Sequence, residues 1–299
     1  MKKLFSILLC MLLMLSMTAP AWAVNQSRTV IGADLNPAQV EAVYTNFGLR
    51  RGEVIELTMT NAEERRYLEG FVDSSVIGTR SISCVYVELL PEGSGMSVTT
   101  SNITWCTGDM YISALATAGI TDARILVSAP FAVSGTAALS GVYKAYEDMT
   151  GSKLDDMAKL VSTQELTVTG DLAQQIGSMD STSIVGELKL MLNETKNMSD
   201  EEIRAIITEI AGRYNVRLTD TQVNQLISLC RSLEGLNPDQ LKQRVEEVQG
   251  TLQRVAEAKT KIVDFAQQVK GFIESVSDFI DKISEFLAQF QAKPETKPA

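Results

Sequence analysis

Arg80 and the run Ser134-Gly135-Thr136 are the residues whose type and setting suggest ligand chemistry. The run falls between an apolar stretch with strand character and a helical one. Backbone N–H groups at such a turn can hold an anion, and Gly135 would let the ligand approach the main chain. Arg80 would add a guanidinium for a carboxylate or phosphate group. The turn has neither the Lys of a phosphate-binding loop nor the glycine spacing of a dinucleotide site. Plain helix capping by Ser134 or Thr136 is the simpler use of the same residues.

The other reactive side chains narrow the chemistry further. The sequence contains no histidine, which removes Ser-His-Asp and Cys-His catalysis and every imidazole metal site. Asp109, Asp122, Asp155 and Asp156 could act as acid–base or calcium groups, but no Asp-x-Asp-x-Asp-Gly loop is present. Asp109 and Asp122 flank predicted element ends, where caps and turns favour Asp. Widely separated cysteines without CxxC spacing do not form a zinc site. No cofactor or metal is implied, and no catalytic residues are assigned.

Composition sets the class. In a chain of 299 residues, 45% hydrophobic and 21% charged content is ordinary for a globular protein. A net charge of −10 argues against nucleic-acid binding, which needs clustered Lys and Arg. It argues against adsorption to an anionic membrane surface too. Residues 1–23 read as a signal peptide: Lys2 and Lys3 lead, an apolar run from Leu4 to Met17 follows, and Ala21-Trp22-Ala23 is a cleavage site. The mature protein is therefore expected outside the cell or at its envelope.

Elements that would position these residues follow from periodicity. After a short polar lead-in, Asn36-Pro37 opens a helix, Glu53 to Met59 alternates as a strand, and Thr60-x-x-Glu63 is a capping box. Arg80 to Leu90 and Ser97 to Cys106 read as a hairpin around Gly93 and Gly95, followed by a helix from about Asp109, a strand at Ala123 to Ala129, and a helix from Ser134. That order predicts an α+β domain over residues 24–150, of about four strands with helices on one face: a split βαβ arrangement with an antiparallel sheet, or a mixed sheet with another strand order. In the hairpin register Cys84 lies diagonal to Cys106, which allows either a disulfide or two buried free thiols.

From residue 151 the pattern is helical. Residues 151–236 form a helical region, with a break near Thr167 to Gly170 and caps at Ser199 and Thr219. Residues 237–291 carry a heptad in which Phe265, Phe272, Phe279 and Phe286 recur every seven positions, three after the Val and Ile of the first set. Such a stripe suits core folded back on residues 200–233, or a self-associating coiled coil or partner helix; a membrane-surface helix fits it least, since the polar face mixes acids with Lys. Residues 292–299 are a polar tail.

Ile77-Gly-Thr-Arg80, Asn102-Ile-Thr-Trp105 and Ala129-Pro-Phe-Ala-Val-Ser-Gly-Thr-Ala-Ala138, with Glu56-Leu-Thr and Asn61-x-Glu-Glu-Arg upstream, resemble the YpuA-like family of exported Gram-positive proteins. That family is defined by a domain of unknown function. The resemblance, over about Ile31 to Gly177, implies export and a shared α+β domain, and it brings no catalytic residues. The expectation is an exported, non-catalytic binding or scaffold protein with a cell-envelope ligand. The rival is an envelope hydrolase or transferase using carboxylates.

Overall fold

The computed structural model describes residues 26–68 and 77–248. The leader, the heptad stripe with Phe265, Phe272, Phe279 and Phe286, and the polar tail lie outside the described residues.

The fold is α+β: a mixed five-stranded sheet followed by a helical region. The sheet contains β1 (Ser27–Gly32), β2 (Ile55–Met59), β3 (Cys84–Leu89), β4 (Met96–Ile103) and β5 (Ala123–Val133) in the order β2-β1-β3-β5-β4. β1 pairs parallel with β2 and β4 parallel with β5; β3 runs antiparallel to both β1 and β5. Two expectations are corrected here. The segments read as a hairpin are not neighbours, because β5 inserts between β3 and β4. The polar lead-in is β1, whose six residues are all buried.

Without that hairpin the cysteine geometry changes. Cys84 pairs with Ser128 of β5 and Cys106 lies beyond the end of β4, and both are buried free thiols. Burial pushes each thiol up to about 12.

Side-chain alternation places helices on both faces of the sheet rather than one. Helix α1 (Pro37–Phe47) packs Val43, Tyr44 and Phe47 against Ile31, Cys84 and Tyr86. The intervening residues Val30 and Val85 face the other way and meet α4 (Ala138–Thr150), where Gly141 leaves them room. Between these in sequence come α2 (Asn61–Leu68) and α3 (Gly108–Ala118). The α1 start is the expected Asn36 cap, with Gln39 returning the bond to the Asn36 N–H.

The helical region comprises α5 (Asp156–Ile176), α6 (Ser178–Leu190), α7 (Leu192–Thr195), α8 (Asp200–Arg213) and α9 (Asp220–Glu234), then a helix over residues 238–248. Ser199 and Thr219 both close reciprocal capping boxes. Val161, Ile184, Leu188, Ile207, Leu226 and Cys230 form one core, to which Leu241 and Val245 also belong. No helix among the described residues is long and apolar enough to cross a membrane.

The expected break at Thr167 to Gly170 does not occur: α5 is continuous for 21 residues. Gly170 is there for a tertiary reason. A Cβ on it would lie 2.3 Å from the ring of Trp105, so the glycine is the slot into which that indole fits.

Candidate functional site

Four of the five strands run in one direction, so the carboxyl ends of β1, β2, β4 and β5 share an edge of the sheet with the amino end of β3. Helices α1 to α4 each begin just beyond that edge. After β1 the chain passes to one face as α1, and after β5 it passes to the other as α4. Such a divergence opens a crevice at the strand ends, where ligands of open α/β sheets bind. The corresponding point of this sheet is β3, and the segment that leads into it, residues 78–83, crosses the strand ends beside Gly32.

That segment carries the site. Gly32 ends β1, and a Cβ there would sit 2.3 Å from Ser81 O, so only glycine lets the segment close down on β1. The Ser81 N–H donates to Asp34 Oδ2 at 2.7 Å and its hydroxyl donates to Glu64 Oε1 at 2.5 Å. Arg80 is exposed and donates from Nη2 to the Asp34 carbonyl at 2.9 Å. Arg65 bridges Asn61 Oδ1 and the Gly78 carbonyl. Two of the stretches quoted above, Asn61-x-Glu-Glu-Arg65 and Ile77-Gly-Thr-Arg80, therefore close on one another.

The two adjacent glutamates on α2 have opposite electrostatics. Glu63 caps the helix through the Thr60 N–H and receives the Lys144 ammonium of α4 at 2.6 Å. Burial opposes its charge, but Lys144 and Thr60 outweigh that and hold the carboxyl at about 2. Glu64 points inward and is fully buried. Burial pushes its carboxyl up to about 7; the bonds from Ser81 and Asn61 pull it down, and the Asp34 and Glu63 charges add to the rise.

The structure puts Arg80 in one cluster and Ser134, Gly135 and Thr136 in another at the same end of the sheet. The Ser134 carbonyl accepts from the Cys106 N–H at 3.1 Å, and the Gly135 carbonyl accepts from the Tyr111 hydroxyl at 2.5 Å. Gly135 has φ +94°, and a Cβ on it would meet Ile103 Cγ2 at 2.5 Å and the Tyr111 hydroxyl at 2.6 Å. Thr136 is buried. The turn is thus packed onto the start of α3. The capping alternative is corrected as well, since α4 begins at Ala138 with no side-chain cap bond.

The aspartates weighed as acid–base groups have structural partners. Asp122 accepts from the Gly95 N–H, Asp155 caps α5, and Asp156 pairs with Lys159. Asp109 stands in the first turn of α3. No group of three potential metal ligands occurs among the described residues.

A polar cluster that the sequence reading missed lies between α3, α5 and α6. Lys189 Nζ, fully buried, is 2.8 Å from Glu165 Oε1 and 3.0 Å from both the carbonyl and hydroxyl of Ser113. Ser113 and Thr117 donate to the two Glu165 oxygens. Every member of the set is bonded to another member, as a buried ion pair requires. Its signal was available: Lys189 directly follows Leu188 on the apolar face made by Ile184, Val185 and Leu188.

Comparison with known proteins agrees with the motifs. The family model described as "Protein of unknown function (DUF1002)" matches residues 31–255. The uncharacterized protein YpuA of Bacillus subtilis (strain 168) is 32% identical over 252 residues, which is 81% of this chain and 87% of YpuA. No solved structure matches the chain. The chain belongs to the DUF1002 family and is a relative of YpuA.

Proposed function

We propose that this is an exported, envelope-associated binding or scaffold protein that performs no reaction, and that Arg80 is its contact for an anionic envelope group. The observation that carries this reading is how the polar groups are divided. Glu64 with Ser81, and Ser113 with Glu165 and Lys189, are two buried sets bonded within themselves, whereas Arg80 stands exposed at the strand ends where a ligand would arrive. A guanidinium there suits a carboxylate or phosphate on a wall polymer. Export rests on the leader ending at Ala23, and the heptad stripe with Phe265, Phe272, Phe279 and Phe286 would meet a second copy or a partner helix.

Binding is tested by titrating residues 24–299 with soluble cell-wall fragments and with inorganic phosphate, before and after Arg80→Ala. Loss of saturable binding in the variant supports the proposal, and unchanged binding refutes it. Self-association is tested by light scattering of the same protein with and without residues 252–299; a cut at residue 237 would remove Leu241 and Val245 from the core.

One observation favours the rival, an envelope hydrolase or transferase. A serine hydroxyl donating to a carboxyl whose proton leaves near neutrality is a nucleophile–base pair in outline. Both residues are buried, so that reading requires the segment to open. Turnover of wall fragments abolished by Glu64→Gln would establish it.

A further inference from the structure

We propose that Glu64, Ser81 and Asp34 form a proton-held latch, which fixes the Arg80 segment over the strand ends while Glu64 is protonated and frees it when the proton leaves. Ser81 is the pivot. Its hydroxyl holds Glu64 of α2, its N–H holds the side chain of Asp34, and Asp34's carbonyl in turn holds Arg80. One residue thus joins α2, the β1–α1 loop and the segment that leads into β3.

The surroundings define what ionisation meets. On α2 itself are Glu63 and Arg65; the β1–α1 loop supplies Asp34, the segment that leads into β3 supplies Arg80, and β3 supplies the Cys84 thiol. Lys144 of α4 is bonded to Glu63 and to the Thr58 carbonyl. Lys159 of α5 lies 5.2 Å over the Tyr67 ring and pairs with Glu147 and Asp156. An ionised Glu64 is therefore buried with the Asp34 and Glu63 carboxylates acting against it.

The sign follows from linkage. Closed, Glu64 loses its proton near 7; opened to water, it returns to 4.5. Between those values the open form releases a proton that the closed form keeps. Opening is then favoured by up to about tenfold per pH unit from pH 5 to 7, and levels off above 7. The latch operates without any ligand, so it stands or falls separately from anion binding by Arg80.

The Ser81 amide reports on the latch directly, because its hydrogen is the one given to Asp34. We would follow its native-state hydrogen exchange by NMR in residues 24–299 between pH 5 and 8, corrected for intrinsic exchange rates. Protection should fall by up to about tenfold per unit to pH 7 and then stay constant. In Glu64→Gln, which keeps the hydrogen-bonding shape without the titration, protection should be flat. Constant protection in the native protein, or the same fall in Glu64→Gln, would overturn the proposal. Should the variant fail to fold, the carboxyl carbon shift of Glu64 in the native protein decides: an inflection near 7 agrees, and one near 4.5 does not.

Discussion

The indole of Trp105, just beyond β4, occupies the place of a side chain at Gly170 in α5, with ring atoms 2.3 Å from where a Cβ would stand. This contact keys the sheet edge to the helical region. A helical glycine replaced by alanine ordinarily gains about 1 kcal/mol. At this position the overlap should dominate, leaving Gly170→Ala destabilised by about 1–3 kcal/mol in urea unfolding. Trp105→Ala combined with it should cost less than the two single losses together. Full additivity would show that the two positions are not in contact.

Lys189 and Glu165 make a second test of the same junction. Removing one partner strands a buried charge, so Lys189→Met or Glu165→Leu alone should lose about 3–5 kcal/mol. The double variant should be no less stable than either single one, as each charge disappears with its partner. Urea midpoints of the three variants check this, and additive losses would contradict it.

The thiols should be silent in the folded protein. Burial raises Cys84 and Cys106 to about 12 and Cys230 to about 11. An alkylating reagent at pH 8 should therefore label none of them until denaturant is added. Residues 24–299 should then take up three labels without a reductant. Fewer labels before reduction than after would reveal a disulfide absent from this structure.

Glu63 should supply part of the acid sensitivity. Its folded carboxyl titrates near 2 against an ordinary 4.5, so its contribution is complete above pH 5 and disappears as the pH falls toward 2. Lys144→Ala should be less stable than the native protein at pH 6, and the gap should narrow by pH 3. A gap of equal size at both pH values would place the effect of Lys144 elsewhere.

Local features of the fold were legible in the sequence. The reciprocal caps at Asn36, Ser199 and Thr219 depend on residues three apart, and each appears where the spacing predicts it. Pairing between strands depends on distant chain. Gly93 and Gly95 do form a turn between β3 and β4, but β5 supplies a parallel partner for β4 and an antiparallel one for β3, and it displaces the hairpin. β1 is hard to read from the sequence because it opens on the polar residues Ser27, Arg28 and Thr29. Their polarity is absorbed by bonds such as Arg28 to Asp148 and Thr29 to Tyr44.

The candidate site was half visible. Arg80 stands out as a cation near a turn, but its partner Asp34 lies 46 residues away. Glu64 is not marked out in the sequence, because the capping box accounts for its neighbour Glu63. One position further round the helix turns the second acid inward, toward a serine that only the folded segment brings near. Ser134 and Thr136 looked available because nothing in the local sequence announces Tyr111 and Ile103, which close over Gly135.

Binding to the exposed guanidinium is the central claim, and calorimetric titration of residues 24–299 with soluble cell-wall fragments tests it most directly. The account predicts saturable binding with no change in the fragments, weakened at least about tenfold, or about 1.4 kcal/mol, by Arg80→Ala. Equal affinity of the native and Arg80→Ala proteins, or consumption of the fragments during the titration, would contradict it.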